Sequence, residues 1–138
     1  MKEFVLGSSA TLPWVFASEA TAGTKALQDV LAQGGRAWVP ALWHLEVGNV
    51  LLIAQRKNRL DQAGIAKFLA TLELYDIEVD DGTILAAWSS TLRLAESHGL
   101  TTYDAAYLEL ALRRGLPLAT LDETLRKAVR KAGGALAL

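Results

Sequence analysis

Cysteine is absent from these 138 residues, which excludes a disulfide framework and any thiolate-bound metal. A reducing, cytoplasmic setting is the easier home for such a chain. Histidine is nearly absent: His44 and His98 are the only two. Neither has a partner at metal-ligand spacing, so both are assigned to structure or solvent. No apolar run reaches the length of a membrane span, and the start Met-Lys-Glu-Phe-Val-Leu-Gly lacks the apolar centre of a signal peptide. No strong excess of either charge exists: the net charge is −1, which gives no global pull towards nucleic acid but allows a local basic patch. The glycine-rich nucleotide fingerprints and the Gly-x-Ser-x-Gly elbow are missing, which argues against nucleotide binding and serine hydrolysis. There is no internal repeat, low-complexity tract or linker.

What remains is a chain rich in apolar residues, 51% hydrophobic and of one-domain length, so residues 1–138 are expected to form a single domain with a sizeable core. Short apolar runs predict strands near residues 3–6, 36–39, 77–79, 117–119 and 135–138. Helical spacing predicts helices over 10–16, capped by Ser8 or Ser9 and limited by Pro13, and over 19–31. A long helix comes next over 41–56, with Leu42, Leu45, Val50 and Ile53 as its inner stripe, and another over 61–74, with Ile65, Phe68, Leu69 and Leu72 inward. Asp80 or Asp81 caps a single helix over 83–98, Thr101 opens the next, and Asp122 caps the last. Strands alternating with helices predict an α/β fold with a mainly parallel, five-stranded sheet and ligands beyond its carboxyl edge.

The chain is organised around residues 100–111, Leu-Thr-Thr-Tyr-Asp-Ala-Ala-Tyr-Leu-Glu-Leu-Ala. Ala105, Leu108 and Leu112 give this segment a helical core face. Asp104 in its first turn reads as half of a capping box with Thr101, or as a site acid. Asp122 has the same two readings, helix cap or site acid. Glu46 is harder to assign to the surface, because it falls with the apolar stripe of its helix, and a buried Glu is rare unless paired or coordinating. Asn49, three residues on, is its same-face neighbour and a candidate hydrogen-bond partner. Three acids at one sheet edge repel one another unless a cation neutralises them, and oxygen-only donors suit Mg²⁺ or Mn²⁺. Trp14, Trp38, Trp43 and Trp88 read as core or interface anchors. Arg126, Lys127, Arg130 and Lys131 form a basic face on the last helix, either solvated or set for phosphate contact.

Four segments in order carry a resemblance: the strand ending Gly7-Ser8-Ser9; Pro40-x₅-Glu46-x₂-Asn49; Thr101-Thr-Tyr-Asp104-Ala-x-Tyr107-Leu-Glu; and Leu118-Ala-Thr120-Leu-Asp122-x₂-Leu. Together they resemble the PIN domain, and most of all the VapC toxins of toxin–antitoxin pairs, over nearly the whole chain. The resemblance implies a small three-layer α/β/α sandwich and a Mg²⁺- or Mn²⁺-dependent endoribonuclease. It implies that Glu46, Asp104 and Asp122 are catalytic and metal-binding acids, with Asn49, Thr120 and Ser8 supporting them. It further implies a VapB-type antitoxin that covers the site, operator DNA bound only through that antitoxin, a homodimer or hetero-oligomer, and transfer or ribosomal RNA as substrate. The family places an aspartate at the end of its first strand, as in Phe-Val-Leu-Asp-Ser-Ser, and this chain has Gly7 there. With that departure the resemblance implies a ribonuclease inactivated or weakened at Gly7. The alternative is a non-catalytic module, derived from such a nuclease, that binds antitoxin and helps regulate its operator.

Overall fold

Phe4, Val5 and Leu6 have no solvent exposure at all, and neither do Ala37, Val39, Leu118 and Ala119. Strands this thoroughly covered belong inside a parallel sheet. The computed structural model describes residues 1–138 and shows that sheet. Its strands are β1 (Glu3–Leu6), β2 (Arg36–Val39), β3 (Asp76–Val79) and β4 (Leu118–Ala119), in the order β3-β2-β1-β4 and parallel throughout. The sheet is four-stranded and not five-stranded. The expected strand over 135–138 reduces to a parallel bridge between Leu118 and Leu136. The reason lies in β4, which is two residues long, so Leu118 alone presents a free edge to the returning chain.

Helices fill the connections. They are α1 (Ser8–Thr11), α2 (Ala22–Ala32), α3 (Leu42–Arg56), α4 (Gln62–Glu73), α5 (Thr83–Ala86), α6 (Leu92–His98), α7 (Thr102–Arg114) and α8 (Glu123–Lys131). Four helices begin with a side-chain cap: Thr21, Asp61, Thr101 and Asp122 accept from the amides of Thr24, Gly64, Asp104 and Leu125. Each such cap contributes about 1 kcal/mol. Gly99 and Gly115 stop α6 and α7 at φ of 63° and 64°, a left-handed geometry that costs glycine nothing. α7 is the central helix, with Ala105 to Ala111 buried without a break, packed on β1 and β4.

Several local expectations are corrected. Neither Ser8 nor Ser9 caps α1. Gly7 occupies the cap position, α1 ends at Thr11, and Pro13 sits in a 3₁₀ turn over Leu12–Trp14. α2 begins only at Ala22. The buried stripe of α3 is Trp43, Val47, Leu51 and Ala54, while Leu45 and Ile53 face solvent. Trp43 sets that rotation: it is the largest apolar group on the helix, and its indole N–H donates to the Thr11 hydroxyl at 3.1 Å. Leu69 on α4 is likewise exposed, with Phe68 and Leu72 inward. The helix expected over 83–98 is interrupted by a π-helical segment, Ala87–Thr91, which widens the turn and rotates the face that α6 presents.

Candidate active site

The strand order itself creates a site. From β1 the chain builds outward through β2 and β3, then returns to place β4 on the other side of β1. Such a reversal opens a crevice at the carboxyl ends of the two strands that flank it. Gly7 leaves β1 there, and its N–H donates to the Ala119 carbonyl at 2.8 Å. Thr120 and Asp122 come after β4, α3 delivers Glu46 after β2, and the first turn of α7 delivers Asp104.

Glu46 is half-buried. Tyr107 Oη donates to its Oε1 at 2.5 Å, and Ser8 Oγ donates to the same oxygen at 3.5 Å. Burial pushes the Glu46 carboxyl above its ordinary range; the Tyr107 hydrogen bond opposes this, and the charge of Asp104 adds to it. Burial, and then the carboxylate it serves, drives the Tyr107 hydroxyl far up, so this group remains a donor. Asn49 does not hold Glu46: it lies exposed on the outer side of α3, away from the packing that buries Val47 and Leu51.

Asp104 takes only half of the capping box. Its N–H donates to Thr101 Oγ1 at 3.1 Å, but its carboxylate does not return to the Thr101 backbone. Burial, and then the charge of Asp122, raise its carboxyl above the ordinary range. Asp122 is exposed and acts as a cap, with Oδ2 accepting from the Leu125 N–H at 2.9 Å. Thr120 is buried below it. The Thr120 hydroxyl accepts from the Asp122 N–H at 3.1 Å and shares a 3.2 Å hydrogen bond with Ser9, whose oxygen in turn accepts from the Leu121 N–H. Asp104 therefore stands between two like charges, Glu46 and Asp122. None of the three forms an ion pair with lysine or arginine.

A fourth acid at the same edge shows the opposite state. Asp80 comes directly after β3, and its side chain is fully buried. It accepts from Arg113 at 2.6 Å, from Arg114 at 2.8 Å and from the Gly82 N–H at 2.9 Å. The arginines, Arg113 foremost, hold its carboxyl at about 2. Asp80 is thus a structural anion and not the simple cap expected of it. Arg113 also grips Glu109 at 2.7 Å, and Arg114 lies 3.5 Å over the Trp38 ring. Glu46, Asp104 and Asp122 lack any such neutralising partner.

No three His, Cys, Asp or Glu side chains lie close enough together to enclose a metal ion. The donor set still fits a hard cation. Mg²⁺ retains several waters and is commonly held by only one or two carboxylates, and Asp104 is paired electrostatically with a neighbour on each side. Gly7 adds no oxygen. Its backbone is extended at φ −76° and ψ 151°, so no left-handed turn requires glycine. Close approach does: a β-carbon here would stand 2.7 Å from the Ala119 carbonyl oxygen. Any other residue requires the end of β4 to draw back.

Tyr107 and Ser9 came forward only as parts of motifs, Ser9 also as a helix cap, and neither was given a site role; the arginines around Asp80 were not brought forward at all. Tyr107 had a signal, since it lies three residues after Asp104 and so on the same helical face. The others depend on contacts between distant segments and left none.

The family model described as "PIN domain" matches residues 7–131. The chain belongs to the PIN domain family. This PIN domain is also similar to a solved structure described as "Crystal structure of PAE2754 from Pyrobaculum aerophilum". The two share 26% sequence identity at a TM-score of 0.69, over 97% of this chain and 82% of that one. No curated protein matches closely enough to be called a relative. The parallel α/β architecture of this PIN domain is that of a nuclease-type fold, and none of its helices is long and apolar enough to cross a membrane.

Proposed function

We propose that this PIN domain is a VapC-like endoribonuclease scaffold whose activity is weakened at Gly7. The observation that carries the reading is the set of three unneutralised carboxylates at the switch point, two of them with raised pKa. Glu46 suits the role of proton acceptor from an attacking water, because a carboxyl raised towards neutrality is a better base than an ordinary one. Tyr107 and Ser8 fix the position of that carboxylate. Asp104 and Asp122 would hold a Mg²⁺ or Mn²⁺, with Glu46 reaching it only through a bound water, and Thr120 sets the loop that carries Asp122. A bound ion of this kind lowers the pKa of water and offsets charge on a phosphate under attack. Asp122 is exposed, and Glu46 and Asp104 are only half-buried, so the site is an open edge suited to a chain-like substrate such as a splayed RNA loop.

The surface points to partners. Ile84, Leu85 and Trp88 are 83%, 86% and 93% exposed on consecutive turns before and within the π segment. An exposed apolar stripe of this kind marks a protein contact. We assign it to a second copy of the chain or to a VapB-type antitoxin, with operator DNA reached only through the latter. The same stripe, together with a Gly7 packed against Ala119, supports the second reading: a non-catalytic antitoxin-binding module. Cleavage of total RNA in Mg²⁺ or Mn²⁺ decides between them. The nuclease reading expects weak, metal-dependent cutting that Asp104→Asn abolishes. Cutting that is undetectable even with Gly7→Asp, with metal binding unchanged by Asp104→Asn, selects the binding module.

A further inference from the structure

The basic face of the last helix is divided by the fold. Arg126 is structural: its Nη1 donates to the carbonyls of Thr120 and Leu138 at 3.0 and 2.9 Å. Arg130 reaches towards Glu123 at 3.9 Å. Lys127 and Lys131 pair with no carboxylate. They line a furrow of about 430 Å³ between α8 and the end of α6, with Thr124, Ser97 and His98. No acid lines it. The furrow shares Ser97 and His98 with a second cavity of about 490 Å³, which adds Ser90 and the unpaired Arg93. That cavity contains one acid, Glu109, already bound through both oxygens by Arg113. His98 also keeps a shielded Nδ1 without any hydrogen-bond partner, an unsatisfied polar atom in the wall that the two cavities share.

We propose that this furrow is a track for the phosphate backbone of single-stranded RNA leaving the acid site. Position argues for it. Asp122 caps α8, and Thr124, Lys127 and Lys131 succeed it on one face of that helix at spacings of three and four. At a rise of 1.5 Å per residue, the two lysines stand about 8 and 14 Å along the axis from Asp122. A strand cut beside Asp122 meets cations and hydroxyls in sequence, with Arg93 beyond them. A helix-end preference for cations does not explain the pattern, because Lys127 is mid-helix and Arg93 lies near the start of α6. Sequence-independent contact is the chemistry expected, since phosphates position a strand and bases specify it.

The identity of the polyanion rests on the ribonuclease reading; the furrow itself does not. The test uses the full chain in EDTA, so that nothing is cut, and follows a fluorescent single-stranded RNA 12-mer by anisotropy across a salt series. The Lys127→Gln/Lys131→Gln variant should bind on the order of tenfold more weakly, and its salt slope should flatten by about 1.4, two contacts at roughly 0.7 each. Arg130→Gln, which lies outside the furrow and faces Glu123, should bind as the parent does. Unchanged affinity and slope in the double variant would overturn the proposal, as would absence of RNA binding by the parent. Displacement of the RNA by poly-glutamate at equal charge concentration would overturn it too, in favour of an acidic protein partner. Cleavage assays report separately. A chain that cuts RNA while the double variant keeps the parental slope has lost the track and kept the nuclease. A chain that binds through the lysines yet never cuts, with or without an aspartate at position 7, has kept the track and lost the nuclease.

Discussion

Tyr107 is the residue on which the position of Glu46 depends. Tyr107→Phe removes the stronger of two hydrogen bonds to a half-buried carboxylate. The loss should cost about 1–2 kcal/mol of stability. The Glu46 carboxyl should rise further, since the hydrogen bond is what lowers it. In cleavage assays kcat should fall about tenfold with KM little changed, as expected for loss of positioning. The pH at which the rate rises should move upward; a KM effect alone would assign Tyr107 to binding. Gly7 presents two opposed effects. Gly7→Asp adds a further carboxylate at the end of β1, but its β-carbon meets the Ala119 carbonyl at 2.7 Å. Overpacking of this kind costs roughly 1–3 kcal/mol, so thermal unfolding should show a lower Tm without metal, with Mg²⁺ recovering part of the loss. Of the acids at this edge, Glu46 drew notice because an acid on an apolar face is unusual, whereas Asp104 and Asp122 read equally well as first-turn or cap acids and came forward through the family resemblance. Asn49 was misjudged, because spacing along a helix does not say which side of it faces the core.

At the scale of elements, the clamp between the end of β3 and the end of α7 is the feature with the clearest pH signature. Asp80 is held at about 2, below its ordinary 3.8, by two arginines. A depressed carboxyl stabilises the fold above the unfolded value and loses that contribution as pH falls through the folded one. The clamp therefore contributes roughly 1–2 kcal/mol above about pH 4, after allowance for the partly exposed arginines, and loses that contribution as pH falls from about 4 to 2. Asp80→Asn should lower stability by about that amount at pH 7 and flatten the acid limb of a denaturation-versus-pH curve; an unchanged limb would assign acid unfolding elsewhere. The π segment supplies a second element-level prediction. Trp88→Ser should change unfolding free energy by no more than about 0.5 kcal/mol, as for an exposed position. It should also shift any dimer seen by sedimentation towards monomer or weaken antitoxin capture; if neither changes, Ile84, Leu85 and Trp88 are not a contact surface. Periodicity showed a helix over this region but not its interruption, because one wide turn still leaves apolar residues on roughly one side.

Over the whole molecule, the alternation of strands and helices was legible because fully buried strands read as continuous apolar runs, and because the caps Asp61, Thr101 and Asp122 stand directly before helical patterns. The strand order was not legible, since no local pattern says that β4 returns to the far side of β1; yet that return is what gathers Gly7, Glu46, Asp104 and Asp122 at one edge. The fifth strand failed for a related reason: its pairing depended on the length of β4 and not on its own residues. On the proposed function these carboxylates share one ionic site, and that site acts on RNA. The most direct measurement is titration calorimetry with Mg²⁺ and Mn²⁺ on four chains: the parent, Asp104→Asn, Glu46→Gln and Gly7→Asp, with total-RNA cleavage read on the same samples. The predicted result is weak binding and weak cutting by the parent, and at least a tenfold loss of both for Asp104→Asn and Glu46→Gln, on the order expected when a metal site loses a supporting group. Gly7→Asp should gain in both. Equal metal affinity in all four chains, with no RNA cut by any of them, would show that the carboxylates form neither a shared ionic site nor a nuclease centre.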